Sequence, residues 1–175
     1  EIEPRPEDTL PRLKALLAEH RNFHADPALY FRMEHNGLHF SDVTQSAGLA
    51  GVAAHRVAWG DFNSDGFPDL LVDGHRLFRN LGNGRFHDHS EEAGLGNASR
   101  GNGGLWFDCD NDGDLDIFTT AHGGNRLLEN TGEGRFIDAS DTALPYPAAK
   151  DRTEAAACGD MDNDGFLDLY VANNE

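Results

Sequence analysis

The sequence predicts an all-β chain built from repeated four-stranded units, and three observations predict it. First, three segments superimpose at offsets of 47 and 52 residues: VAWGDFNSDGFPDLLVDG from Val57, GLWFDCDNDGDLDIFTTA from Gly104 and AACGDMDNDGFLDLYVAN from Ala156. Second, another element follows the first two, HRLFRNLGNGRFHDHSEEAGL from His75 and NRLLENTGEGRFIDASDTAL from Asn125, and its tail also stands upstream as GLHFSDVTQSAGL from Gly37. Third, each unit contains short runs that alternate apolar with polar residues or are rich in β-branched and aromatic ones, separated by Gly, Asn and Asp turns. Four antiparallel strands in roughly 45 residues is the size of one blade of a β-propeller.

Taken in order, residues 7–23 stand apart from the repeats. Leu10, Leu13, Leu16, Leu17 and Phe23 follow helical spacing behind a cap at Asp8 or Thr9, and Pro27 limits the helix. Residues 1–36 are thus expected to form a helical extension that covers a sheet edge or packs on the repeats, and residues 37–175 to form the repeats themselves. In the first complete unit strands are expected near 56–61, 69–73, 76–80 and 85–89. Asn83-Gly84 and Glu133-Gly134 sit where tight hairpins need residues tolerant of positive φ. Two full units are followed by a third that reaches its second strand at Glu175, so the expected fold is a partial propeller with a short N-terminal helix.

A hydrophobic content of 38%, with 11 Phe, 3 Tyr and 2 Trp, suffices for a packed core. The formal charge of −17 repels phosphate backbones and anionic headgroups, which argues against nucleic acid and acidic membranes as partners. No apolar run reaches the length of a membrane helix. Cys109 and Cys158 fit neither a disulfide framework nor a zinc or redox spacing and are expected to be buried small apolar residues. The start at Glu1, without methionine, suggests either processing or a trimmed chain, and fits export.

The carboxylates cluster at fixed spacing, which a solvated surface does not require. The loops read Asp61-x-Asn63-x-Asp65-Gly66-x-x-Asp69, Asp108-x-Asp110-x-Asp112-Gly113-x-x-Asp116 and Asp160-x-Asp162-x-Asp164-Gly165-x-x-Asp168. Each offers oxygen side chains at positions 1, 3, 5 and 9, and Gly at 6 permits a sharp turn. Calcium takes six to eight hard oxygen ligands, so a carbonyl at position 7, from Phe67, Asp114 or Phe166, completes a set for three Ca²⁺ sites. Without a cation the crowded carboxylates repel one another. The bland alternative is an Asx-rich turn copied by duplication, with no ion bound. Oxygen-only ligands disfavour transition metals, and magnesium prefers fewer protein ligands. An EF-hand would need an acid at position 12, where this chain has Val72, Thr119 and Val171.

These loops, with the tails LHFSDVTQSAGL and RFHDHSEEAGL, resemble the FG-GAP or VCBS repeats of integrin-like β-propellers. The likeness is to the extracellular branch that includes cartilage acidic proteins and bacterial secreted relatives, and it spans residues 37–175. It implies calcium between the first and second strands of each blade, with Asn63 in place of the commoner aspartate. It further implies loops used for protein or glycan partners, and a ring of about seven blades. This chain is then expected to be a piece of a longer one, or to pack against other chains.

Other signals are weaker. His87-Asp88-His89 looks catalytic until Asp88 is aligned with Asp42 and Asp138, which makes it a repeated turn acceptor. Gly94–Gly104 lacks the GK[ST] of a phosphate loop and is expected to connect blades; within it Asn97-Ala98-Ser99 is a glycosylation sequon. Trp59 and Trp106 share one repeat position and are expected to pack between strands. No hydrolase or metalloprotease motif occurs. The expected function is a non-enzymatic, calcium-stabilised interaction module outside the cell or in the periplasm. The alternatives are part of a secreted carbohydrate-active enzyme, which needs an unrepeated acidic pair in a pocket, or a subunit of a larger assembly.

Overall fold

The structure is a computed structural model that describes residues 31–33, 40–96, 101–144 and 152–174. The helix expected over 7–23 and the sequon at Asn97 lie outside these residues. The chain divides into two compact units, Glu1–Ala53 and Ala54–Glu175. In the first, β1 (Phe31–Met33) pairs antiparallel with β2 (Phe40–Asp42), Phe31 opposite Asp42. The chain then turns, with the Thr44 amide on the Asp42 carboxylate at 2.9 Å and the Ala47 and Leu49 amides on the carbonyls of Val43 and Thr44.

The second unit holds the repeats. A first blade runs β3 (Val57–Gly60), β4 (Asp69–Val72), β5 (Arg76–Asn80) and β6 (Phe86–Asp88), hydrogen-bonded in chain order. A second runs β7 (Gly103–Phe107), β8 (Asp116–Thr120), β9 (Arg126–Asn130) and β10 (Phe136–Asp138), followed by a single helical turn, α1 (Ser140–Ala143). A two-stranded sheet follows, β11 (Arg152–Gly159) and β12 (Asp168–Asn174), with a register shift between Thr153 and Ala155. All pairings are antiparallel. Two complete blades and the first two strands of a third are thus present, as the repeats predict.

Second strands are the most deeply placed. Every residue of β4 and of β8 is buried, because each strand is flanked on both edges and covered on both faces. That is why DLLV and DIFTT read as nearly unbroken apolar runs. The first strands of successive blades lie side by side, β7 next to both β3 and β11. Between the first two blades a core forms from Phe62, Leu71, Leu77, Ala93 and Leu95 of one and Ile117, Leu128 and Phe136 of the next. Trp106 seals this core: its ring stacks on Phe62 at 6.5 Å and tilts on Phe136 at 6.1 Å. Its ring lies so close over Gly60 that a Cβ there would sit 2.7 Å from it. A second core joins Phe107, Phe118 and Leu127 to Ala156, Leu169 and Val171 of the third sheet.

Three expectations need correction in detail. At the β5–β6 and β9–β10 turns the positive φ angles fall on Gly82 and Gly84, and on Gly132 and Gly134, not on Asn83 or Glu133. The Leu81 and Thr131 amides reach the carbonyls of Arg85 and Arg135, so the turn is longer than a two-residue hairpin. Trp59 does not match Trp106: it is 48% exposed and rests on Phe86 at 5.9 Å. Cys158 is exposed and Cys109 half-buried, both as free thiols.

Candidate metal centre

The three acidic loops join the first strand to the second in each sheet, and they follow one course. Position 4 is left-handed in all of them, with φ of 53° at Ser64, 63° at Asn111 and 61° at Asn163. Position 6 is left-handed too, at 86°, 96° and 93° for Gly66, Gly113 and Gly165. A Cβ on these glycines would meet nothing within 4 Å, so it is the backbone angle and not space that demands glycine.

Hydrogen bonds repeat with the same regularity. The position-1 carboxylates of Asp61, Asp108 and Asp160 each accept the position-5 amide on one oxygen and the glycine amide on the other, the latter at 2.8, 3.0 and 3.0 Å. Position-3 oxygens, from Asn63, Asp110 and Asp162, accept the position-5 amide at 3.2 Å. Position-5 carboxylates, from Asp65, Asp112 and Asp164, accept the amides of Phe67, Asp114 and Phe166. Position-9 carboxylates, from Asp69, Asp116 and Asp168, reach back to the amides of Phe62, Cys109 and Met161. Since a carboxylate oxygen carries two lone pairs, one amide on it leaves the other free to bind a cation.

In the second and third loops this wrapping brings three carboxylates together. Ligand oxygens of Asp108, Asp110 and Asp116, and likewise of Asp160, Asp162 and Asp168, lie within 4.8 Å of one another. Two oxygens that each sit about 2.4 Å from one ion are at most about 4.8 Å apart, so each triad fits a single hard cation. Positions 5 and 7, Asp112, Asp114, Asp164 and Phe166, stand outside these triads. In the first loop Asn63 replaces the middle acid, its Nδ2 bonds Asp65 at 3.0 Å, and Arg79 pairs with Asp65 at 3.2 Å. The position-12 residues are strand residues: Val72 and Thr119 are buried in β4 and β8, and Val171 lies in β12, as the rejection of an EF-hand requires.

Charge crowding is visible in the acidities. Burial, against the pull of the Asn80 and Phe62 amides, pushes the Asp69 carboxyl up to about 6, and Asp65 and Asp61 add to the rise. Burial also raises Asp110, with the nearby charges of Asp112, Asp116 and Asp108 adding to it. Asp65 goes the other way: burial opposes the shift, but the Phe67 amide and Arg79 hold it below the usual carboxylate range. The Cys109 thiol, raised by burial and then by its contact with Asp116 to about 12, is not a nucleophile at neutral pH.

Sequence spacing missed the partners that lock position 9. The Asn80 and Asn130 amides donate to Asp69 and Asp116 at 2.7 Å, tying each loop to the third strand of its blade. Their side chains also cap the neighbouring turn, and Asn130 Nδ2 reaches the Phe62 carbonyl of the preceding blade at 2.8 Å. The repeated Asn in HRLFRN and NRLLEN was the available signal. The Asp88 and Asp138 carboxylates accept the Ser90 and Ser140 amides and pair with Arg76 and Arg126, which confirms them as turn acceptors. His87 and His89 face Glu92 at 3.8 and 3.6 Å. His122 and Arg56 both hold Glu154, at 3.2 and 3.1 Å.

Among the described residues no helix is long and apolar enough to cross a membrane. No curated protein matches the chain. A family model described as FG-GAP-like repeat matches residues 108–171, from the first aspartate of the second loop to the middle of β12. The first blade repeats that segment's loop, strand order and hairpin, so the segment over residues 108–171 is an FG-GAP-like repeat and the first blade is similar to it in form.

Proposed function

We propose that this chain is a non-enzymatic interaction module whose acidic loops are structural calcium sites. The observation that carries the reading is the convergence of Asp108, Asp110 and Asp116, and again of Asp160, Asp162 and Asp168, within 4.8 Å in loops of identical course. An all-oxygen donor set of this size suits Ca²⁺, supplied in the first loop by Asp61, Asn63, Asp65 and Asp69. The carbonyls of Phe67, Asp114 and Phe166 serve as the position-7 ligands. Bound calcium joins the first strand of each sheet to the second and offsets the like-charge repulsion that adds to burial in raising Asp110.

Sites built from one short loop bind weakly, which suits a location outside the cell or in the periplasm, where calcium is abundant. The partner is then a protein or glycan, or a neighbouring part of a larger assembly. An enzymatic role is less well supported. Glu154, the unrepeated acid beside a small cleft, is held below its usual acidity range by Arg56 and His122 and engaged by both, whereas glycoside hydrolysis needs two available carboxyls.

Thermal unfolding in excess calcium, in chelator and in magnesium tests the proposal. At a hundredfold excess over Kd each native-state site adds about 2.7 kcal/mol, so a rise of many degrees specific to calcium is expected. An unchanged midpoint would reduce the loops to duplicated turns.

A further inference from the structure

The repeats separate the residues that a blade needs from those that it does not. With Asp88 aligned on Asp138 and Asp42, the residues His87, His89 and Glu92 stand where the second blade has Ile137, Ala139 and Thr142 and the upstream tail has Ser41, Val43 and Ser46. Blade architecture therefore requires none of the three side chains, yet in the first blade all three come together. His87 lies in β6 opposite Arg79, and the His89 amide continues the ladder to the Leu77 carbonyl at 2.8 Å. Two residues apart on an extended chain, the histidines share one face. The chain then turns, with the Ala93 amide on the His89 carbonyl at 2.9 Å, and the turn returns Glu92 to both rings.

Glu92 gives one oxygen to each histidine, with Oε1 3.8 Å from His87 Nε2 and Oε2 3.6 Å from His89 Nδ1. These separations are longer than hydrogen bonds. They approach the roughly 3.4 Å between neighbouring ligands of a tetrahedral zinc ion whose bonds are about 2.1 Å long. The His89 side chain, 21% exposed, is held in place: its ring tilts on Phe62 at 5.6 Å, and Gly134 of the next blade lies on its Nε2 side, where a Cβ would stand 3.9 Å away. Arg135 of the same turn donates from Nε to the Glu92 carbonyl at 3.2 Å and pins the backbone that carries the carboxylate. The His87 and Glu92 side chains are 57% and 59% exposed, so a rotation about their own bonds gathers all three ligands on one ion. The competing cation opposite His87, Arg79, is engaged by Asp65 at 3.2 Å. Both blades that build this site have all four strands.

We propose that His87, His89 and Glu92 form a site for a divalent transition-metal ion, zinc in the first instance, at the β6 edge of the first blade. His87 supplies Nε2, His89 supplies Nδ1 and Glu92 an oxygen. Two imidazoles and a carboxylate suit a borderline-soft ion, whereas calcium and magnesium require oxygen ligands. Three protein ligands leave one tetrahedral position to water. The site shares no residue with the acidic loops and does not rest on calcium being bound there.

The test is a titration of zinc into the intact chain in excess calcium, with the ring resonances of His87 and His89 followed by NMR. The chain has nine histidines and two cysteines, so the readout is taken residue by residue. Both rings are expected to shift together in one saturable step, and magnesium should leave them unmoved. His87→Ala and Glu92→Gln, at exposed positions that the fold tolerates, should each weaken the zinc response of His89 by about tenfold or more, while Glu91→Gln should leave it unchanged. Rings that stay unmoved in a large excess of zinc would overturn the proposal and reduce Glu92 to an ion-pair partner of the histidines. So would a His89 response that survives both His87→Ala and Glu92→Gln, or an equal response to magnesium.

Discussion

The first and second loops share a backbone course and a hydrogen-bond pattern but differ in how they balance charge. In the first, Asn63 sits between the acids and Arg79 pairs with Asp65, whose carboxyl is held low. In the second, Asp108, Asp110, Asp112, Asp114 and Asp116 occupy nine residues, and Asp110 is pushed up by burial and by its neighbours. The lesson is that loop geometry comes from the amide network, which both share, while the crowding of charge that the proposed cation would relieve is uncompensated only in the second.

Disrupting the shared network should have the largest effect. Asp116→Ala leaves the Cys109 and Asn130 amides without their acceptor and is expected to cost about 2–5 kcal/mol, measured as a shift in the urea midpoint. That is the cost in chelator; in calcium the loss at Asp116, and likewise at Asp168, should be larger, because each is also a ligand of a proposed site. Asp168→Ala, at an exposed carboxylate that serves one amide, should cost only about 1 kcal/mol. Equal losses at the two sites would undo the distinction between a locked and an open position 9.

Acidity comes next. In the calcium-free chain the folded pKa of Asp69, about 6, lies above its ordinary 3.8, so the folded state holds this proton more tightly. Its contribution is fully present below pH 3.8 and is lost as pH rises through 6, a change of about 3 kcal/mol. Unfolding in chelator between pH 4 and 7 should show this decline, and Asp69→Asn should flatten it. Calcium should abolish the decline by favouring the ionised form. The calcium-induced rise in Tm is therefore expected to be larger at pH 7 than at pH 5.

Exchanging the charge pattern is a finer probe. Asn63→Asp should lower stability in chelator by about 1 kcal/mol and enlarge the calcium-induced shift, while Asp110→Asn should do the reverse. If both substitutions leave the calcium-induced shift unchanged, position 3 is not a ligand. The smallest effect is expected for Arg79→Gln, which removes a partly exposed pair and should cost at most about 1 kcal/mol. Its signature is a rise in the Asp65 pKa, readable by NMR titration.

How much was legible follows from where each interaction lies along the chain. Strand positions, the three loops and the failure of the EF-hand reading came from patterns within nine to fifteen residues. Asp88 was readable as a turn acceptor because its partner, Ser90, is two residues away. Harder to read were contacts between distant segments. Asn130 bonds the Phe62 carbonyl across 68 residues, and nothing local announces it. Trp59 and Trp106 occupy one repeat position, yet the half-exposed Trp59 and the sealed Trp106 differ because Phe62 and Gly60 of a neighbouring blade receive only the latter.

The sequence by itself determined the repeat unit, the all-β character and the oxygen-rich loops, because hydrophobic alternation, glycine placement and ligand spacing are properties of short stretches. The tertiary structure decided which aspartate in each loop is also a structural bracket and that Cys158 is exposed while Cys109 is half-buried. Those outcomes depend on what the next sheet covers. Burial is a property of neighbours in space, and identical repeats acquire different roles once one of them stands at the end of the described array.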